Sequence, residues 1–312
     1  MSMNNIPKIK VVGIGGSGVN AVSRMYKEKV AGVELIAVNT DEQSLKICPV
    51  SKKILIGRKA TGGFGSGMDV RLGEKAAKES YNELKQALEG AELVFLTCGL
   101  GGGSGTAGIS VLGEIAKEVG ALTVAVVTLP FSFEGAQRKS IANWGLKRLE
   151  GKVDSFLVIQ NDRLLKMVGP TATMENAFWI CDSILREAVK GIADLVSLPG
   201  IINVDFADLR SILIGSGRAF LGIGRAKGEK RALSAASSAL QSPLLDFSLK
   251  NAQGILLNIA GGDDLSITEV NLAATFIKKN ALPQAKIIFG VSEDSHLEAG
   301  ELKITLIATS KG

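Results

Sequence analysis

Short apolar segments alternate with longer segments of helical periodicity along the first half of the chain. The apolar segments are rich in β-branched residues and end at glycine or polar residues, which is typical of buried strands. They lie at residues 8–13, 34–38, 54–56, 93–97, 123–129 and 155–159. Helices are predicted between several of them, at residues 19–29, 70–88 and 110–119. Strands that alternate with helices predict a parallel sheet covered by helices on both faces.

A long amphipathic helix is predicted next, at residues 174–196. Its apolar residues recur at spacings of three and four, and they are Phe178, Cys181, Leu185, Ala188, Ile192 and Leu195. Thr173 is a candidate N-cap, and Pro199 with Gly200 ends the helix. At ~1.5 Å per residue the helix exceeds ~30 Å, which is long enough to connect two domains.

The C-terminal third predicts a smaller α/β domain. Helices are predicted at residues 229–240 and 266–279, and strands at residues 254–259, 285–291 and 302–309. A short polar loop joins the last two strands, so we expect some antiparallel pairing and a mixed sheet. The predicted fold class is α/β, with a Rossmann-like parallel-sheet domain, a long central helix and a smaller C-terminal α/β domain.

Composition narrows the functional classes. With 46% hydrophobic residues the 312-residue chain is not disordered, and its apolar runs are far shorter than the ~18 residues of a membrane span. The first residues lack the apolar core of a secretory signal, so we expect a cytoplasmic protein without direct membrane insertion. The three cysteines have no disulfide or zinc spacing, and His296 alone leaves little room for a metal cluster or a catalytic triad. The net charge of +5 is spread along the chain, so nucleic-acid binding is not indicated.

A first glycine-rich loop follows the first predicted strand. Residues 13–18 read GIGGSG, which satisfies GxGxxG, and Asp41 lies at the end of the second predicted strand. Glycines at this position let backbone N–H groups approach a phosphate at a helix N-terminus, whichever nucleotide carries it. The motif therefore indicates phosphate binding. A dinucleotide such as NAD and a tight turn without a ligand both remain open.

A second glycine cluster makes a nucleotide more specific. Residues 99–108 contain six glycines between a predicted strand and a predicted helix, with the hydroxyls of Ser104 and Thr106 among them. Glycine costs conformational entropy, so this density indicates a set of N–H donors for two or three phosphates, with a flexible loop as the alternative. The GK[ST] ending of a Walker A loop is absent, which excludes a P-loop NTPase.

Six separated motifs together resemble one family. GGGSGTAG resembles the tubulin signature, and GIGGSGVNAV, AVNTDEQSL, LPFSFEGAQR, IQNDRLL and NVDFADLR stand in the order and spacing of the FtsZ family, the bacterial tubulin-like GTPases of cell division. The similarity covers about residues 8–310. It implies a GTP-binding domain at residues 1–172, a connecting helix at 173–200 and a GTPase-activating domain at 201–312.

The resemblance implies a set of nucleotide contacts in the first domain. Those near the phosphates are Gly15, Gly16, Ser17, Asn20, Asn39, Asp41, Gly65, Ser66, Gly67, Gly99, Leu100, Gly101, Gly102, Gly103, Ser104, Gly105 and Thr106. Glu134 and Arg138 would contact ribose and phosphate, although an ordinary i,i+4 ion pair is the alternative. Magnesium is expected to enter with GTP or GDP through the phosphates, without a protein ligand that we can name.

The base contacts follow from guanine chemistry together with the resemblance. Guanine presents N1–H and N2–H₂ as adjacent donors, so its site requires carboxylate or amide oxygens. Asn161 and Asp182 match the family's guanine contacts, and Phe178 would stack on the base. Without the resemblance, Phe178 is more simply a core residue.

The NVDFAD segment carries the catalytic prediction. Asn203, Asp205 and Asp208 lie at the start of a predicted helix, where capping and dipole complementarity are the simpler explanation. The resemblance implies that this segment reaches the γ-phosphate of the next subunit and orients the attacking water. Because the two half-sites cannot meet within one subunit, hydrolysis requires a head-to-tail filament, which is a heterologous and open assembly. GTP should favour assembly and GDP should weaken it.

Departures from the family pattern leave alternatives. Ala107 replaces a usual glycine, so it strains the loop by ~1 kcal/mol if that position needs φ > 0. The chain ends at Gly312 without the C-terminal peptide through which this family usually meets membrane-tethering partners at the mid-cell division ring. Alternative functions are a divergent tubulin-like filament for cell shape or DNA partition, a scaffold that does not hydrolyse GTP and an NAD-dependent oxidoreductase.

Overall fold

The computed structural model describes residues 7–165, 173–197, 201–294 and 297–310. The chain divides within its long helix into two compact units, of which Pro7–Val189 forms one and Lys190–Gly312 belongs to the other. His296, Pro199 and Gly200 lie outside the described residues. None of the helices in the described ranges is long and apolar enough to span a membrane.

The first unit is built on a parallel sheet of six strands, which confirms the predicted architecture. Their order across the sheet is β3-β2-β1-β4-β5-β6, and every neighbouring pair is parallel. The strands are β1 (Ile9–Ile14), β2 (Val33–Asn39), β3 (Lys52–Leu55), β4 (Leu93–Gly99), β5 (Leu122–Leu129) and β6 (Ser155–Gln160). The central strands are buried nearly throughout, as expected for a sheet with two covered faces.

Helices of the first unit connect these strands. They are α1 (Gly15–Lys27), α2 (Glu42–Ile47), α3 (Arg58–Thr61), α4 (Val70–Glu79), α5 (Tyr81–Leu88), α6 (Gly103–Glu118), α7 (Ala136–Leu149) and α8 (Asn161–Leu164), with a 3₁₀ turn at Ser132–Glu134. The long α9 (Met174–Ser197) begins in the first unit and ends in the second. Thr173 caps α9 as predicted, because its Oγ1 accepts a hydrogen bond from the Asn176 N–H at 3.2 Å.

Three helix predictions were wrong in their bounds. The single helix expected at residues 70–88 is interrupted at Ser80, whose φ of −99° and ψ of 20° separate α4 from α5. The helices α1 and α6 begin at Gly15 and Gly103, several residues before residues 19 and 110. Their first turns consist largely of glycine, which has a low intrinsic helix propensity, so the sequence pattern resembles a loop there.

The second unit contains a mixed sheet, as predicted, but with a different pairing. Its elements are α10 (Phe206–Leu213), β7 (Gly217–Lys227), α11 (Arg231–Leu240), a 3₁₀ turn (Leu249–Asn251), β8 (Gly254–Gly261), α12 (Ile267–Asn280), β9 (Lys286–Glu293) and β10 (Glu301–Thr309). The order is β7-β10-β8-β9, with β10 antiparallel to β7 and β8 and with β8 parallel to β9. The last two strands are therefore not a hairpin. The apolar and fully buried β8 lies between them, which leaves β9 at the edge.

Candidate active site

The two glycine loops meet at the carboxyl ends of adjacent strands. Since β1 and β4 are parallel neighbours, the N-termini of α1 and α6 lie side by side. Gly15 has φ of +73°, and a Cβ added there would lie 2.9 Å from the Gly105 nitrogen, so the loops touch at a position that only glycine permits. Two helix N-termini that present N–H groups to one space form an anion-binding site.

Three buried hydroxyls join the surrounding loops. Ser104 Oγ lies 2.5 Å from Thr40 Oγ1 and 2.6 Å from Ser66 Oγ, at hydrogen-bonding distance in both cases. The Gly103 N–H donates to the Gly67 carbonyl at 2.8 Å. These contacts bring the segment that follows β2 and the glycine-rich residues 65–67 to the first turn of α6. The Ser104 hydroxyl makes both side-chain contacts of this junction.

A cleft of about 290 Å³ opens over these loops, and most of the predicted nucleotide contacts line it. They are Gly15, Gly16, Ser17, Gly67, Gly99, Leu100, Gly102, Gly103, Ser104, Gly105, Glu134, Arg138, Asn161, Phe178 and Asp182. The cleft is also lined by Thr128, Pro130 and Cys181, which were not predicted as contacts. The first two lie at the carboxyl end of β5, where ligands bind in parallel sheets, so their position was a usable signal. Burial raises the pKa of the Cys181 thiol to about 12, which keeps it protonated.

The other predicted contacts are not among the residues that line the cleft. They are Asn20, Asn39, Asp41, Gly65, Ser66, Gly101 and Thr106. Thr106 Oγ1 accepts from the Gly101 N–H at 2.8 Å, and Asn39 Oδ1 accepts from the Thr40 N–H at 2.9 Å. The Asp41 carboxylate caps α2, and the Ser44 hydroxyl that donates to it lowers its pKa. In the structure these side chains shape the loops.

The far end of the cleft presents hydrogen-bond acceptors. Asn161 Oδ1 is buried and has no hydrogen-bond partner among the described residues. The buried Asp182 carboxylate accepts from Arg24 Nε at 2.8 Å. Burial raises the pKa of Asp182 to about 6, although the nearby Arg24 guanidinium opposes this shift. Arg24 was also missed, because it lies on α1 and nothing in its local sequence marks a partner on α9.

An aromatic surface lies beside these acceptors. Phe178 is 41% exposed, so the interpretation of this residue as a core side chain is wrong. Its ring makes an edge-to-face contact with Phe131 at 5.4 Å between centroids, and Phe131 stacks on Phe133 at 4.9 Å. The exposed face of Phe178 is therefore available to stack on a planar ligand.

Glu134 and Arg138 form the ion pair that was the alternative to ligand contact. Arg138 Nη1 lies 3.0 Å from Glu134 Oε2, and Glu134 Oε1 also accepts from the Phe131 N–H at 2.9 Å. The pair joins the 3₁₀ turn to α7 across Gly135, and both side chains also line the cleft. The ion pair therefore does not exclude ligand contact.

The three predicted catalytic residues belong to the second unit, whereas the described residues that line the cleft all belong to the first unit. Asn203, Asp205 and Asp208 are exposed. Asp205 is the N-cap residue of α10, but its side chain makes no capping hydrogen bond, so the capping explanation is wrong for this residue. Its position, like that of Asp208 in the first turn, still complements the helix dipole. Asp208 Oδ1 lies 3.5 Å from Lys286 Nζ. Their catalytic role stays a prediction.

Ala107 does not strain the signature loop. It lies within α6, and Lys29 is the one non-glycine residue with positive φ in the described part of the chain. The position needs no φ > 0, because α6 has already begun four residues earlier. The expected strain is therefore wrong, and with it goes the support for a scaffold that does not hydrolyse GTP.

The fold and the cleft define a nucleotide-binding protein of the tubulin class. The family model described as "Tubulin/FtsZ family, GTPase domain" matches residues 8–169, and the model described as "FtsZ family, C-terminal domain" matches residues 217–311. Cell division protein FtsZ 1 of Pyrococcus abyssi is 47% identical over 302 residues, which cover 97% of this chain and 80% of that protein.

Solved structures agree. An empty FtsZ dimer of M. jannaschii has a TM-score of 0.93 at 44% identity, with 97% of this chain and 88% of that chain covered. CetZ2 from Haloferax volcanii, described as a GTPγS-bound protofilament, has a TM-score of 0.78 at 24% identity, with 96% of this chain and 92% of that chain covered. At this identity the comparison shows a common fold alone. This chain therefore belongs to the FtsZ family, the tubulin-like GTPases of cell division, whose members form filaments. The NAD-dependent oxidoreductase is excluded.

Proposed function

We propose that this chain binds GTP in the cleft of its first unit and hydrolyses it only where the next subunit of a head-to-tail filament supplies Asn203, Asp205 and Asp208. One observation carries the choice of nucleotide: the buried Asn161 Oδ1 has no partner among the described residues and lines the same cleft as the Asp182 carboxylate. A buried acceptor without a partner is costly unless a ligand donates to it.

Guanine fits these acceptors better than adenine does. Its N1–H and N2–H₂ groups donate to the Asp182 carboxylate and to Asn161 Oδ1, whereas adenine has no such adjacent pair of donors. The half-exposed Phe178 ring stacks on the base. Arg24 holds the Asp182 carboxylate in place and favours its charged form, which is the form that accepts two donors.

The phosphates bind at the paired N-termini of α1 and α6, where Gly16, Ser17 and Gly102 to Gly105 line the cleft. Arg138 offsets phosphate charge, and Glu134 accepts from the ribose hydroxyls. Mg²⁺ enters with the nucleotide and neutralises charge that develops on the phosphate oxygens. The described residues contain no group of three His, Cys, Asp or Glu side chains suited to a metal, so the phosphates are its proposed ligands.

The catalytic carboxylates act on the neighbouring subunit's nucleotide. The Asp205 side chain makes no capping hydrogen bond to α10, so its carboxylate is available to orient the attacking water together with Asp208. Positioning and electrostatic stabilisation supply the rate of phosphoryl transfer. Loss of the γ-phosphate removes the contact between the two half-sites, which weakens the filament in its GDP state.

The functional division follows the same plan. We assign GTP binding to residues 1–172, the connection to residues 173–200 and activation of the neighbour to residues 201–312. The filament works in the cytoplasm at the mid-cell division ring, where tethering partners recruit it through a C-terminal peptide that the present sequence does not include.

Turnover of GTP per molecule, measured as the protein concentration is raised, tests this proposal. The same series is run for Asp208→Ala, with polymer pelleting and GTP binding in parallel. We expect turnover to begin above a threshold concentration in the wild type and to be lost in the variant while GTP still binds. Turnover that is independent of concentration, or equal in both proteins, would overturn the shared site.

A further inference from the structure

A lysine from the edge of the second sheet reaches the first turn of α10. Lys286 Nζ lies 3.5 Å from Asp208 Oδ1 and donates to Ser211 Oγ at 2.6 Å. The Ser211 hydroxyl in turn donates to the Asp208 carbonyl at 2.6 Å. Asp208 and Ser211 are three residues apart on one helical face, so the ammonium group is held by two contacts beside the carboxylate.

The strand that carries Lys286 is firmly joined to α10. Lys286 begins β9 and pairs in parallel register with Gly254, the first residue of β8. A Cβ added to Gly254 would lie 2.9 Å from Ile212 Cγ2, so the absent side chain lets α10 lie directly on the start of β8. The Lys286 N–H also donates to the Gln253 carbonyl at 2.8 Å. The lysine is therefore projected from an ordered strand start.

We propose that Lys286 is a positioning residue for GTP hydrolysis, which fixes the Asp208 carboxylate and offsets its charge as it approaches the neighbouring subunit's phosphates. This role rests on the proposed function, because it requires Asp208 to act on that nucleotide. Two carboxylates that approach a polyphosphate are repelled by it, and a cation beside one of them reduces this repulsion.

The exposure of the pair explains why its effect appears in the filament. Both side chains are about half exposed in the subunit, at 52% for Lys286 and 53% for Asp208. Ion pairs in such surroundings contribute little to stability because water screens them. A neighbouring subunit that covers the pair excludes this water, and the attraction between the ammonium and the carboxylate then strengthens.

The test compares GTP turnover per polymerised subunit for the wild type, Lys286→Met, Lys286→Arg and the control Lys278→Met. Lys278 is exposed on α12, so its replacement removes the same charge from the same unit. Methionine keeps most of the apolar stem of lysine, and thermal unfolding verifies that each variant is folded.

We expect Lys286→Met to lower maximal turnover roughly tenfold, as for other partners that orient a reacting group. GTP affinity and KM should stay within about twofold, because the GTP-binding cleft is unchanged. Lys286→Arg should restore most of the turnover, and Lys278→Met should match the wild type.

A double-mutant cycle separates positioning from a general structural role. If Lys286 acts through Asp208, then Lys286→Met added to Asp208→Asn should change the residual turnover by less than about twofold. The same tenfold loss in both backgrounds would contradict the positioning role. If Lys286→Met turns over GTP as fast per polymerised subunit as the wild type does, the role of Lys286 is overturned. In that case a concentration threshold for turnover of the wild type would still support the proposed function. Turnover of the wild type without a threshold would overturn both.

Discussion

Each unit contains a carboxylate paired with an arginine, and these are the half-buried Glu269 in the second unit and the buried Asp182 in the first. The two carboxylates differ in how many hydrogen bonds they accept. In the second unit, Glu269 accepts from Arg231 Nε at 2.6 Å and Nη2 at 3.0 Å, and from the Ser266 N–H and hydroxyl, each at 2.9 Å. These donors, with Arg231 first among them, lower the pKa of Glu269 to about 2. In the first unit, Asp182 accepts from Arg24 at 2.8 Å, and burial raises its pKa to about 6.

The difference distinguishes a structural carboxylate, Glu269, from the carboxylate that we propose as the binding carboxylate, Asp182. Glu269 has its acceptor positions filled by the chain itself, and it joins the start of α11 to the start of α12. Asp182 is buried with acceptor capacity left over. Asn161 Oδ1, for which the described ranges offer no hydrogen-bond partner, lies in the same cleft. A buried polar group is retained at such a cost where a ligand completes its hydrogen bonds.

Removal of the Asp182 carboxylate, whose acceptor positions the chain does not fill, should cause the largest loss of GTP affinity. Asp182→Ala deletes a charged acceptor for two guanine donors, so GTP affinity should fall about 100-fold, as for other sites built around a buried charged hydrogen bond. Equilibrium binding of GTP measures this loss, and ATP binding should change much less. Glu269→Ala is the matched control, since its cost falls on folding. An equal loss of GTP affinity in both variants would erase the distinction.

Removal of the Glu269 carboxylate, whose acceptor positions are filled by the chain itself, should destabilise the second unit. Glu269→Gln should lower the free energy of unfolding at pH 7 by about 1–2 kcal/mol, after allowance for solvent screening. The pKa of Glu269 is lowered from 4.5 to about 2, so its stabilisation is complete above pH 4.5 and disappears as the pH falls towards 2. Denaturant unfolding of both proteins at several pH values measures this. A difference that persists unchanged at pH 2 would contradict it.

Replacement of the Asp182 carboxylate by an amide should raise the free energy of unfolding, whereas the corresponding change at Glu269 lowers it. The pKa of Asp182 is raised from 3.8 to about 6, so the folded state binds the extra proton and loses stability as the pH rises through that window. Asp182→Asn removes this cost and should stabilise the nucleotide-free protein by about 1 kcal/mol at pH 7. Thermal unfolding without nucleotide provides the measurement. Destabilisation would mean that Asp182 is structural, like Glu269.

Hydrophobic periodicity and glycine-rich segments predicted the strands of the first sheet and the two loops beside the cleft. The six strands of the first sheet were recognisable because doubly covered strands are apolar throughout. The two glycine loops identified the phosphate end of the cleft. The starts of α1 and α6 were missed because their glycines lack helix propensity, although close approach of the chains requires them.

Contacts between distant elements could not be predicted in the same way. Arg24 reaches Asp182 from α1, and Lys286 reaches Asp208 from β9, so neither pairing has a local signature. The strand β7 was missed and β9 was paired wrongly, because strand order depends on burial in the assembled sheet. Local patterns therefore identified the loops to which we assign phosphate binding, but not the charged residues that lie beside the carboxylates.

Mixing two inactive variants shows whether the active site is completed between subunits. Asp208→Ala keeps the GTP cleft, and Asp182→Ala keeps the catalytic segment, so their contact rebuilds one complete site. An equimolar mixture, at a GTP concentration too low for Asp182→Ala to bind, should recover about a quarter of the wild-type turnover, the statistical share of productive head-to-tail contacts. Turnover no higher than that of the separate variants, with both present in the pelleted polymer, would contradict the shared active site.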